Sequence, residues 1–594
     1  MSRRLVLLVQ LPIPPSGPAE PVRGNVPLAA GCLKLFARRQ GLETAYAIEL
    51  FPPQLANTLG DQGLVEAILA RRPWLVGFTC YVWNVDRTLW IAQRLKEREA
   101  GVQIVLGGPE ITADNTRALG HPAVDYAAIG EGEATFAALL CALRSHAAPP
   151  APIDGLWTRG GGPIRARAPL PDLNDVASPY LEGVLEARDE QTVYLETARG
   201  CAFRCKFCYY PKGVAGLRFL SLDRLAAVLR YAAGRGVEEV VLLDPTLNHR
   251  RDFARFARVL AAGNPGQRFS YFGELRAEGI RSPEARRLAD ANFTEVEVGL
   301  QAVDARVQRL MGRTGNQAAF ERGARALLDA GIRVKVDLIL GLPGDTTDSV
   351  RRSIDYLRGS GLYSSVQVFY LSVLPGTVFR RDAARLGLAF QSMPPYHVFR
   401  TPTLEPDALV ALMQEAEEAF HTRFDPPPTP VVEFRPPGAD PIDHCRVDLD
   451  GRGHRLAPAN RRAQAFTLWL RSTDFHAHRE AAAALVRRLL DDNPHTTLQV
   501  VLQPTGPVER VTPQALGRLL ETCYRTTSYL DHFYSTQPGA QHGAKRLVVM
   551  APAHDRARLA RTWLRKVGGL AAVVWSDRSD SAARGRACLP ARIW

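Results

Sequence analysis

Three cysteines lie within eight residues in the stretch Cys201-Ala-Phe-Arg-Cys205-Lys-Phe-Cys208. Thiolates are soft ligands that favour zinc or iron–sulfur clusters. A structural zinc ion takes four protein ligands, whereas the next cysteine or histidine along the chain is His249 and the next cysteine is Cys445. Three thiolates fit a four-iron cluster that leaves one iron open to a small molecule. A zinc loop completed from a distance and a set of buried structural thiols are the alternatives.

A repeating strand–helix pattern surrounds the cysteine stretch, from about residue 192 to residue 374. Short apolar runs alternate there with longer amphipathic segments, which is typical of parallel strands joined by helices. The six predicted strands are residues 192–196, 239–243, 269–272, 295–299, 334–340 and 365–371. Because a complete barrel of this kind has eight strands, the sequence predicts a partial (βα)6 TIM-type barrel, with the cysteines at the carboxyl end of its first strand.

A second strand–helix series fills residues 1–150. Its predicted strands are residues 5–11, 75–78, 104–106 and 124–129, and its predicted helices are residues 27–39, 64–71, 87–99 and 134–144. This pattern predicts a doubly wound, Rossmann-like α/β domain, in which ligands bind at the carboxyl ends of the strands. Three polar, glycine-containing segments, residues 76–84, 106–110 and 130–133, follow successive strands at that edge.

Proline- and glycine-rich stretches divide the rest of the chain. They predict a linker over residues 151–185, the barrel over 186–400, and a helix with a proline-rich linker over 401–430. Residues 431–594 then form a smaller C-terminal domain, α/β or α+β, with predicted strands at 466–470, 497–502, 546–550 and 571–575. This last domain carries no motif that assigns it a role.

Composition and charge limit the class of protein. Hydrophobic residues make up 46% and charged residues 23% of the 594, which is an ordinary globular balance. The net charge is +13, and residues 431–594 hold 24 basic against 15 acidic residues. That excess permits an acidic partner, but the sequence has neither a helix-turn-helix pattern nor a basic stripe interleaved with aromatic residues, so we expect no nucleic acid. Nine unevenly spread cysteines and apolar runs of about half a membrane span predict a cytoplasmic protein without a membrane span.

The cysteine stretch and the partial barrel resemble the radical S-adenosylmethionine (SAM) superfamily. In that family the open iron of a [4Fe–4S] cluster binds SAM, and one electron from the cluster cleaves SAM to a 5′-deoxyadenosyl radical. Segments at the ends of the later predicted strands also resemble this family. The resemblance implies that Cys201, Cys205 and Cys208 hold the cluster, as metal ligands and catalytic residues. It implies SAM contacts at Phe207, Tyr209, Asp244, Glu274, Arg276, Gln301, Asp337 and Leu340.

The strand-end segments of the N-terminal domain resemble the cobalamin (B12)-binding domain that precedes some radical SAM barrels. The resemblance implies cobalamin contacts at Thr79, Cys80, Tyr81, Trp83, Asn84, Gly107, Gly108, Pro109, Glu110, Gly130, Glu131, Gly132 and Glu133. Many cobalamin proteins ligate the lower face of cobalt with a histidine in an Asp-x-His-x-x-Gly loop, but residues 1–120 contain no histidine. We therefore expect no histidine lower ligand, with Trp83 or Tyr81 nearest that face. An ordinary core role for Trp83 is the alternative.

Together the two resemblances imply a cobalamin-dependent radical SAM enzyme of biosynthesis, of the class B methyltransferase type. Such an enzyme transfers a methyl group from methylcobalamin to an unactivated carbon of a small-molecule or peptide substrate, after the 5′-deoxyadenosyl radical has removed a hydrogen atom. It consumes two molecules of SAM per turnover. It also needs an electron donor of the flavodoxin or ferredoxin kind.

Three other functions are compatible with the same residues. Some members of the family methylate an sp2 carbon without the adenosyl radical, as in methylation of tryptophan at C2. Others transfer no methyl group and catalyse a ring closure or an oxidative rearrangement. From another class, the protein could be a cobalamin- or redox-sensing binding protein. Nothing in the sequence identifies the substrate.

Overall fold

The computed structural model describes residues 3–144, 152–187, 191–210, 216–313, 315–426, 428–434, 440–451, 455–534, 543–576 and 586–587. Three six-stranded sheets organise these residues. We call the parts built on them the N-terminal unit, the barrel and the C-terminal unit. Every helix in the described ranges is too short or too polar to cross a lipid bilayer.

The N-terminal unit is a doubly wound α/β sheet, as predicted. Its strands are β1 (Arg4–Gln10), β2 (Tyr46–Leu50), β3 (Leu75–Thr79), β4 (Gln103–Gly107), β5 (Tyr126–Ala128) and β6 (Leu156–Thr158). Its helices are α1 (Leu28–Arg39), α2 (Pro53–Thr58), α3 (Asp61–Ala70), α4 (Val85–Arg98), α5 (Thr116–Leu119) and α6 (Gly132–Arg144). The order is β2-β1-β3-β4-β5-β6, with β1 to β5 parallel. Helices α1 and α6 cover one face, and α3 and α4 cover the other.

Two strands of this sheet differ from the prediction. β2 was not predicted, although it pairs in parallel with β1. β6 lies inside residues 151–185, so part of the predicted linker belongs to the sheet, where it pairs antiparallel with β5. A three-residue strand is too short to show the alternation of polar and apolar residues by which strands are recognised in a sequence.

The barrel contains six parallel strands in the order β14-β13-β12-β11-β10-β7. Its main strands are β7 (Thr192–Leu195), β10 (Glu239–Leu242), β11 (Ser270–Leu275), β12 (Glu295–Gln301), β13 (Arg333–Leu340) and β14 (Ser365–Tyr370). Two short ribbons pair β8 (Ala198–Arg199) with β9 (Arg218–Phe219) and β15 (Ala389–Phe390) with β16 (Val398–Arg400). The helices are α7 (Leu222–Ala233), α8 (Phe253–Gly263), α9 (Ser282–Asp290), α10 (Ala305–Leu310), α11 (Gln317–Asp329), α12 (Thr347–Ser360), α13 (Val378–Leu386) and α14 (Pro406–Ala419). The predicted partial (βα)6 barrel is confirmed.

Alternation along the barrel strands decides which side chains face inward. In β12 every second residue is buried: Val296, Val298 and Leu300. These three belong to the large apolar core that the strands share with the helices. Glu297 and Gly299 stand between them and therefore face the interior of the barrel, because successive side chains of a strand point to opposite faces.

The C-terminal unit is also α/β, which decides between the two predicted classes. Its strands are β17 (Ile442–Asp448), β18 (Arg462–Ser472), β19 (Thr497–Pro504), β20 (Lys545–Pro552), β21 (Ala572–Ser576) and β22 (Arg586–Ala587). Its helices are α15 (Arg479–Asp492), α16 (Pro513–Cys523), α17 (Tyr529–Tyr534) and α18 (Arg561–Gly568). β17 to β21 are parallel and adjacent in chain order, whereas β22 is antiparallel. β17 and β22 were not predicted.

The C-terminal unit packs against the N-terminal unit through buried polar contacts. Asp61, at the start of α3, accepts a hydrogen bond from the backbone N–H of His495 at 2.8 Å. Its other carboxylate oxygen lies 2.7 Å from Nε of Arg87 in α4. The backbone N–H of Gly60 donates to the carbonyl of Arg462, and the hydroxyl of Thr497 donates to that of Pro15. The two units therefore share a specific interface.

Candidate active site

The cysteine loop is held at the carboxyl edge of the barrel strands. It follows β7 and β8, and the backbone N–H of Lys206 donates to the carbonyl of Met311 at 2.9 Å. The carbonyl of Lys206 accepts from the N–H of Phe379, at the start of α13, at 3.1 Å. Cys205 is buried, while Cys201 and Cys208 are partly exposed. The loop is thus fixed from two sides.

Burial and nearby cations act on the thiols of the loop in opposite directions. Burial raises the pKa of Cys208 to about 12, and the nearby thiols of Cys205 and Cys201 add to the shift. Burial also raises the pKa of Cys205, but the guanidinium groups of Arg313 and Arg276 oppose that shift. Within the described ranges, no three His, Cys, Asp or Glu side chains converge as a ready-made metal site. Three soft donors on one loop, with two cations beside them, fit an anionic iron–sulfur cluster.

Carboxyl groups line the barrel interior beneath this loop. Glu274 in β11 stands opposite Glu297 in β12, and Glu297 stands opposite Lys335 in β13, whose Nζ lies 2.9 Å from Oε2 of Glu297. Asp337 is only 8% exposed, and its Oδ1 accepts no hydrogen bond from the residues that the structure describes. Burial and Glu297 raise the pKa of Asp337 to about 9. Burial raises the pKa of Glu274 to about 7, with Glu297 adding to the shift and Lys335 opposing it. This surface suits a ligand that brings positive charge or N–H and O–H donors.

The other predicted SAM contacts fall into two groups. Gln301 ends β12 near Gly299, and its buried Oε1 has no hydrogen-bond partner within the described part of the chain. Phe207 packs on the barrel core. Leu340 is 1% exposed, so it supports the site from within that core. Asp244 instead binds the backbone that leads into the cysteine loop. Its carboxylate accepts hydrogen bonds from the backbone N–H groups of Thr197 and Ala198 at 2.6 and 2.9 Å.

Two further predicted contacts flank the cysteine loop. The guanidinium of Arg276 lies 4.1 Å from the ring centre of Phe203 and 2.7 Å from Glu278. It therefore helps to shape the loop that carries the thiols. Burial raises the pKa of Tyr209 to about 12, and Glu110 and Asp114 of the N-terminal unit add to the shift. Tyr209 therefore lies at the boundary between the two units.

The strand ends of the N-terminal unit form one polar edge, as predicted from their order. The rings of Tyr81 and Trp83 stack at 4.4 Å with 5° between their planes. The side chain of Asn84 fixes this turn, since it donates to the carbonyls of Leu11 and Thr79. Cys80, which follows Thr79, is fully buried. This edge therefore carries a stacked aromatic pair on a fixed turn.

The glycine positions at the same edge differ in what surrounds them. Gly108 has φ of +101°, and a Cβ there would stand 2.6 Å from the carbonyl oxygen of Cys80, so it allows two loops to touch. A Cβ at Gly107 or Gly130 would meet nothing within 4 Å among the described residues, although the φ of +85° at Gly130 also favours glycine. These two positions thus leave open space for a large ligand at the strand ends. Pro109 is exposed, and Gly132 begins α6.

The three predicted cobalamin-contacting glutamates are engaged by barrel residues. Glu110 accepts hydrogen bonds from the hydroxyl of Tyr396 and from Nδ2 of Asn115. Glu131 pairs with Arg218, and Glu133 lies 2.7 Å from Arg199. Glu297, Lys335, Arg199 and Arg313 were not proposed from the sequence. The inward register of β12 and β13 could have identified the first two.

Both the N-terminal unit and the barrel match known protein families. Residues 25–140 match the B12 binding domain, and residues 195–357 match the radical SAM superfamily. The chain is 28% identical over 378 residues to the cobalamin-dependent radical SAM methyltransferase TokK of Streptomyces tokunonensis, covering 59% of this chain and 54% of TokK. It is 26% identical to the 2-(S-pantetheinyl)-carbapenam-3-carboxylate methyltransferase of Streptantibioticus cattleyicolor, covering 62% of this chain and 56% of that protein. The chain thus spans about half the length of these curated relatives.

Solved structures share the fold. TsrM from Kitasatospora setae, with cobalamin and a [4Fe–4S] cluster bound, aligns with a TM-score of 0.53 at 19% identity, over 66% of this chain and 82% of TsrM. OxsB, with aqua-cobalamin and SAM bound, aligns with a TM-score of 0.57 at 15% identity, over 70% of this chain and 67% of OxsB. The two resemblances stated from the sequence, and the fold class, are confirmed.

Proposed function

We propose that this chain, in which a B12-binding domain precedes a radical SAM domain, is a cobalamin-dependent radical SAM C-methyltransferase. One observation carries the proposal. The cysteine loop stands at the carboxyl edge of the barrel, and the strand-end loops of the B12-binding domain meet that same edge through Glu110, Glu131 and Glu133. Two cofactor sites that face each other across one boundary suit a reaction in which a substrate carbon must reach both.

The residues present fit the cofactors on chemical grounds. Cys201, Cys205 and Cys208 would hold the [4Fe–4S] cluster, with Arg276 and Arg313 balancing its negative charge. Glu274, Gln301 and Asp337 would accept hydrogen bonds from SAM, and Gly107 and Gly130 leave space for cobalamin. When bound, the cluster supplies the electron that cleaves SAM, and cobalamin carries the methyl group. The chain's own side chains bind, orient and shield these groups from water.

The Tyr81–Trp83 stack would face the lower side of cobalt. No histidine precedes residue 121, so the N-terminal strand-end loops up to that point supply no imidazole. A stacked aromatic pair would offer cobalamin a flat apolar surface in place of an imidazole. Cobalamin bound there would supply the methyl group.

The central test is reconstitution of the full chain with iron and sulfide under anaerobic conditions, followed by reduction with SAM and cobalamin present. We expect both 5′-deoxyadenosine and S-adenosylhomocysteine. Cys205→Ala should abolish 5′-deoxyadenosine, whereas Cys141→Ala should not, because Cys141 is an exposed thiol of α6. Bound zinc, or a chain without iron and sulfide, would overturn the proposal. S-Adenosylhomocysteine without 5′-deoxyadenosine would replace radical transfer with methylation of an sp2 carbon, and the reverse result would favour a reaction without methyl transfer.

The electron donor is proposed to be an acidic protein of the flavodoxin or ferredoxin kind. Arg204 and Lys206 stand in the cysteine loop, and the exposed Arg309 of α10 lies next to it, since Met311 contacts Lys206. An acidic partner would approach such a surface under electrostatic attraction, which salt weakens. Reduction by flavodoxin should slow at high salt and in the double variant Arg204→Glu/Arg309→Glu. Arg230→Glu, near the end of α7 at the opposite edge of the barrel, is the control and should have little effect.

A further inference from the structure

Five charged side chains join the N-terminal unit to the base of the cysteine loop. Arg199 lies 2.7 Å from Glu133, 2.7 Å from Glu196 and 3.8 Å from Glu131. Arg218 pairs with Glu131, which also accepts a hydrogen bond from the backbone N–H of Leu170 at 2.8 Å. We call Glu131, Glu133, Glu196, Arg199 and Arg218 the clasp. Its three carboxylates and two guanidinium groups nearly balance in charge.

The clasp is largely shielded from water. The side chains of Arg199, Arg218, Glu131 and Glu133 are 16%, 13%, 15% and 6% exposed, whereas Glu196, at the outer side of the clasp, is 37% exposed. Arg199 and Arg218 stand directly opposite each other in the β8–β9 ribbon, where two like charges would repel without Glu131 between them. Removing one partner from such a buried set leaves an uncompensated charge.

The clasp connects positions that matter for both cofactor sites. Glu131 and Glu133 belong to the loop after β5 and to the first turn of α6. Arg199 ends β8 and stands two residues before Cys201. A second set of contacts joins the same two units through the loop after β4: the hydroxyl of Tyr396 donates to Glu110, and the N–H of Gly376 donates to Asp114 at 2.8 Å. Two separate attachments resist rotation as well as separation.

We infer that Arg199 is a positioning residue, which fixes the first cluster cysteine relative to the strand-end loops of the B12-binding domain and so sets the distance between cluster and cobalt. The inference rests on the proposed function. It gives Glu131 and Glu133 a role in joining the units in place of the cobalamin contacts expected from the sequence. A carbon radical that does not react at once with the methyl group is lost to side reactions. A shift of about 1 Å between the two sites therefore lowers the fraction of turnovers that give methylated product.

Two variants and one matched control test the clasp. Arg199→Lys keeps the positive charge, but an ammonium group cannot bind two carboxylates in the geometry of the planar guanidinium. Glu133→Gln removes the negative charge of one of those carboxylates. Arg38→Lys is the control. Arg38 of α1 pairs with Glu182 in the segment that leads into the barrel, but those two side chains are 43% and 42% exposed. Exposed pairs contribute little, so this change should leave the units as they are.

The first measurement is hydrogen exchange on the full chain without cofactors. Exchange at residues 198–202 and 130–134 should rise about tenfold or more in Arg199→Lys and in Glu133→Gln, but not in Arg38→Lys. Unchanged exchange in both clasp variants would overturn the inference. If Arg199→Lys fails to fold, Glu133→Gln decides the question, because it retains Arg199 together with Glu196 and Glu131.

The second measurement is the distance between the reduced cluster and cobalt(II) in reconstituted protein, taken from pulsed electron paramagnetic resonance. The distance distribution should broaden or shift in both clasp variants while the iron content stays that of the unmodified chain. An unchanged distribution would refute the positioning role. If the unmodified chain binds neither cluster nor cobalamin, the proposed function fails, and hydrogen exchange still decides whether the clasp joins the units.

Discussion

The buried ion pair between α3 and α4 should be the most sensitive charge pair of the N-terminal unit. Asp61 is fully buried, and its carboxylate is held by Arg87 and by the backbone N–H of His495 from the C-terminal unit. Arg87 also donates to the carbonyl of Leu59 at 2.8 Å. Arg87→Met would replace the guanidinium by an apolar group of similar length. It would leave Asp61 buried with one remaining hydrogen bond and no cation.

The expected cost follows from that burial. Removing one partner of a buried pair costs about 3–5 kcal/mol, because the remaining charge stays desolvated and uncompensated. At a slope of about 2–3 kcal/mol per molar urea, the unfolding midpoint of the affected transition should fall by about 1–2.5 M. The matched control is Arg94→Met in the same helix. Arg94 pairs with Glu97 at 2.9 Å, but both side chains are more than 40% exposed, so the change should cost at most about 1 kcal/mol.

Urea unfolding followed by circular dichroism measures both variants on the full chain. The double variant Arg87→Met/Asp61→Asn should recover much of the loss, since it removes both buried charges together. Two results would refute the reasoning. One is an Arg87→Met midpoint no lower than that of Arg94→Met. The other is a double variant whose loss equals the sum of the two single losses.

Two further predictions use other parts of the barrel. Burial and Glu297 raise the pKa of Glu274 to about 7, so its carboxylate gains a proton as the pH falls through that value. SAM affinity measured by equilibrium dialysis should therefore decrease as the pH is lowered from about 8 to 6. A flat profile in the unmodified chain, or the same slope in Glu274→Gln, would remove Glu274 from the SAM site. A Cβ at Gly323 in α11 would stand 1.8 Å from the carbonyl oxygen of Ala277, whereas one at Gly359 in α12 would meet nothing within 4 Å. Gly323→Ala should therefore lower the melting temperature by several degrees. Gly359→Ala should raise the free energy of unfolding by about 0.5–1 kcal/mol. Equal effects of the two changes on the melting temperature would contradict this packing.

The sequence predicted those parts of the fold that repeat a pattern over many residues. The six main barrel strands appear where the alternation of apolar runs placed them, because each has a buried side that must be apolar. The sequence did not predict β17 and β6, and the reason is physical. β17 is an edge strand whose residues are mostly half-buried, and β6 has only three residues. Such strands take their pairing from neighbours distant in the sequence and leave little signal of their own.

The candidate site shows a similar division. The spacing of Cys201, Cys205 and Cys208 indicates a cluster loop by itself, since the ligands are local. Asp244 also stands at a strand end, but its carboxylate is used to hold Thr197 and Ala198. Position at the carboxyl edge of a sheet therefore identifies the neighbourhood of a side chain and not its partner. The partner depends on which backbone groups lack a hydrogen bond nearby, and that becomes known only in three dimensions.

Charge balance could have separated the two kinds of strand-end residue in the N-terminal unit. A buried carboxylate needs a cation or several N–H donors. Glu131 and Glu133 therefore need partners within the protein, whereas Gly107 and Gly130 leave space at the strand ends. The two arginines that flank the cysteine stretch, Arg199 and Arg218, provide the missing cations. Since both the B12-binding domain and the barrel present their carboxyl edges to one another, that boundary has to bind cofactors and join two units at once. Uncharged glycine positions suit the first task, and buried carboxylates facing arginine suit the second.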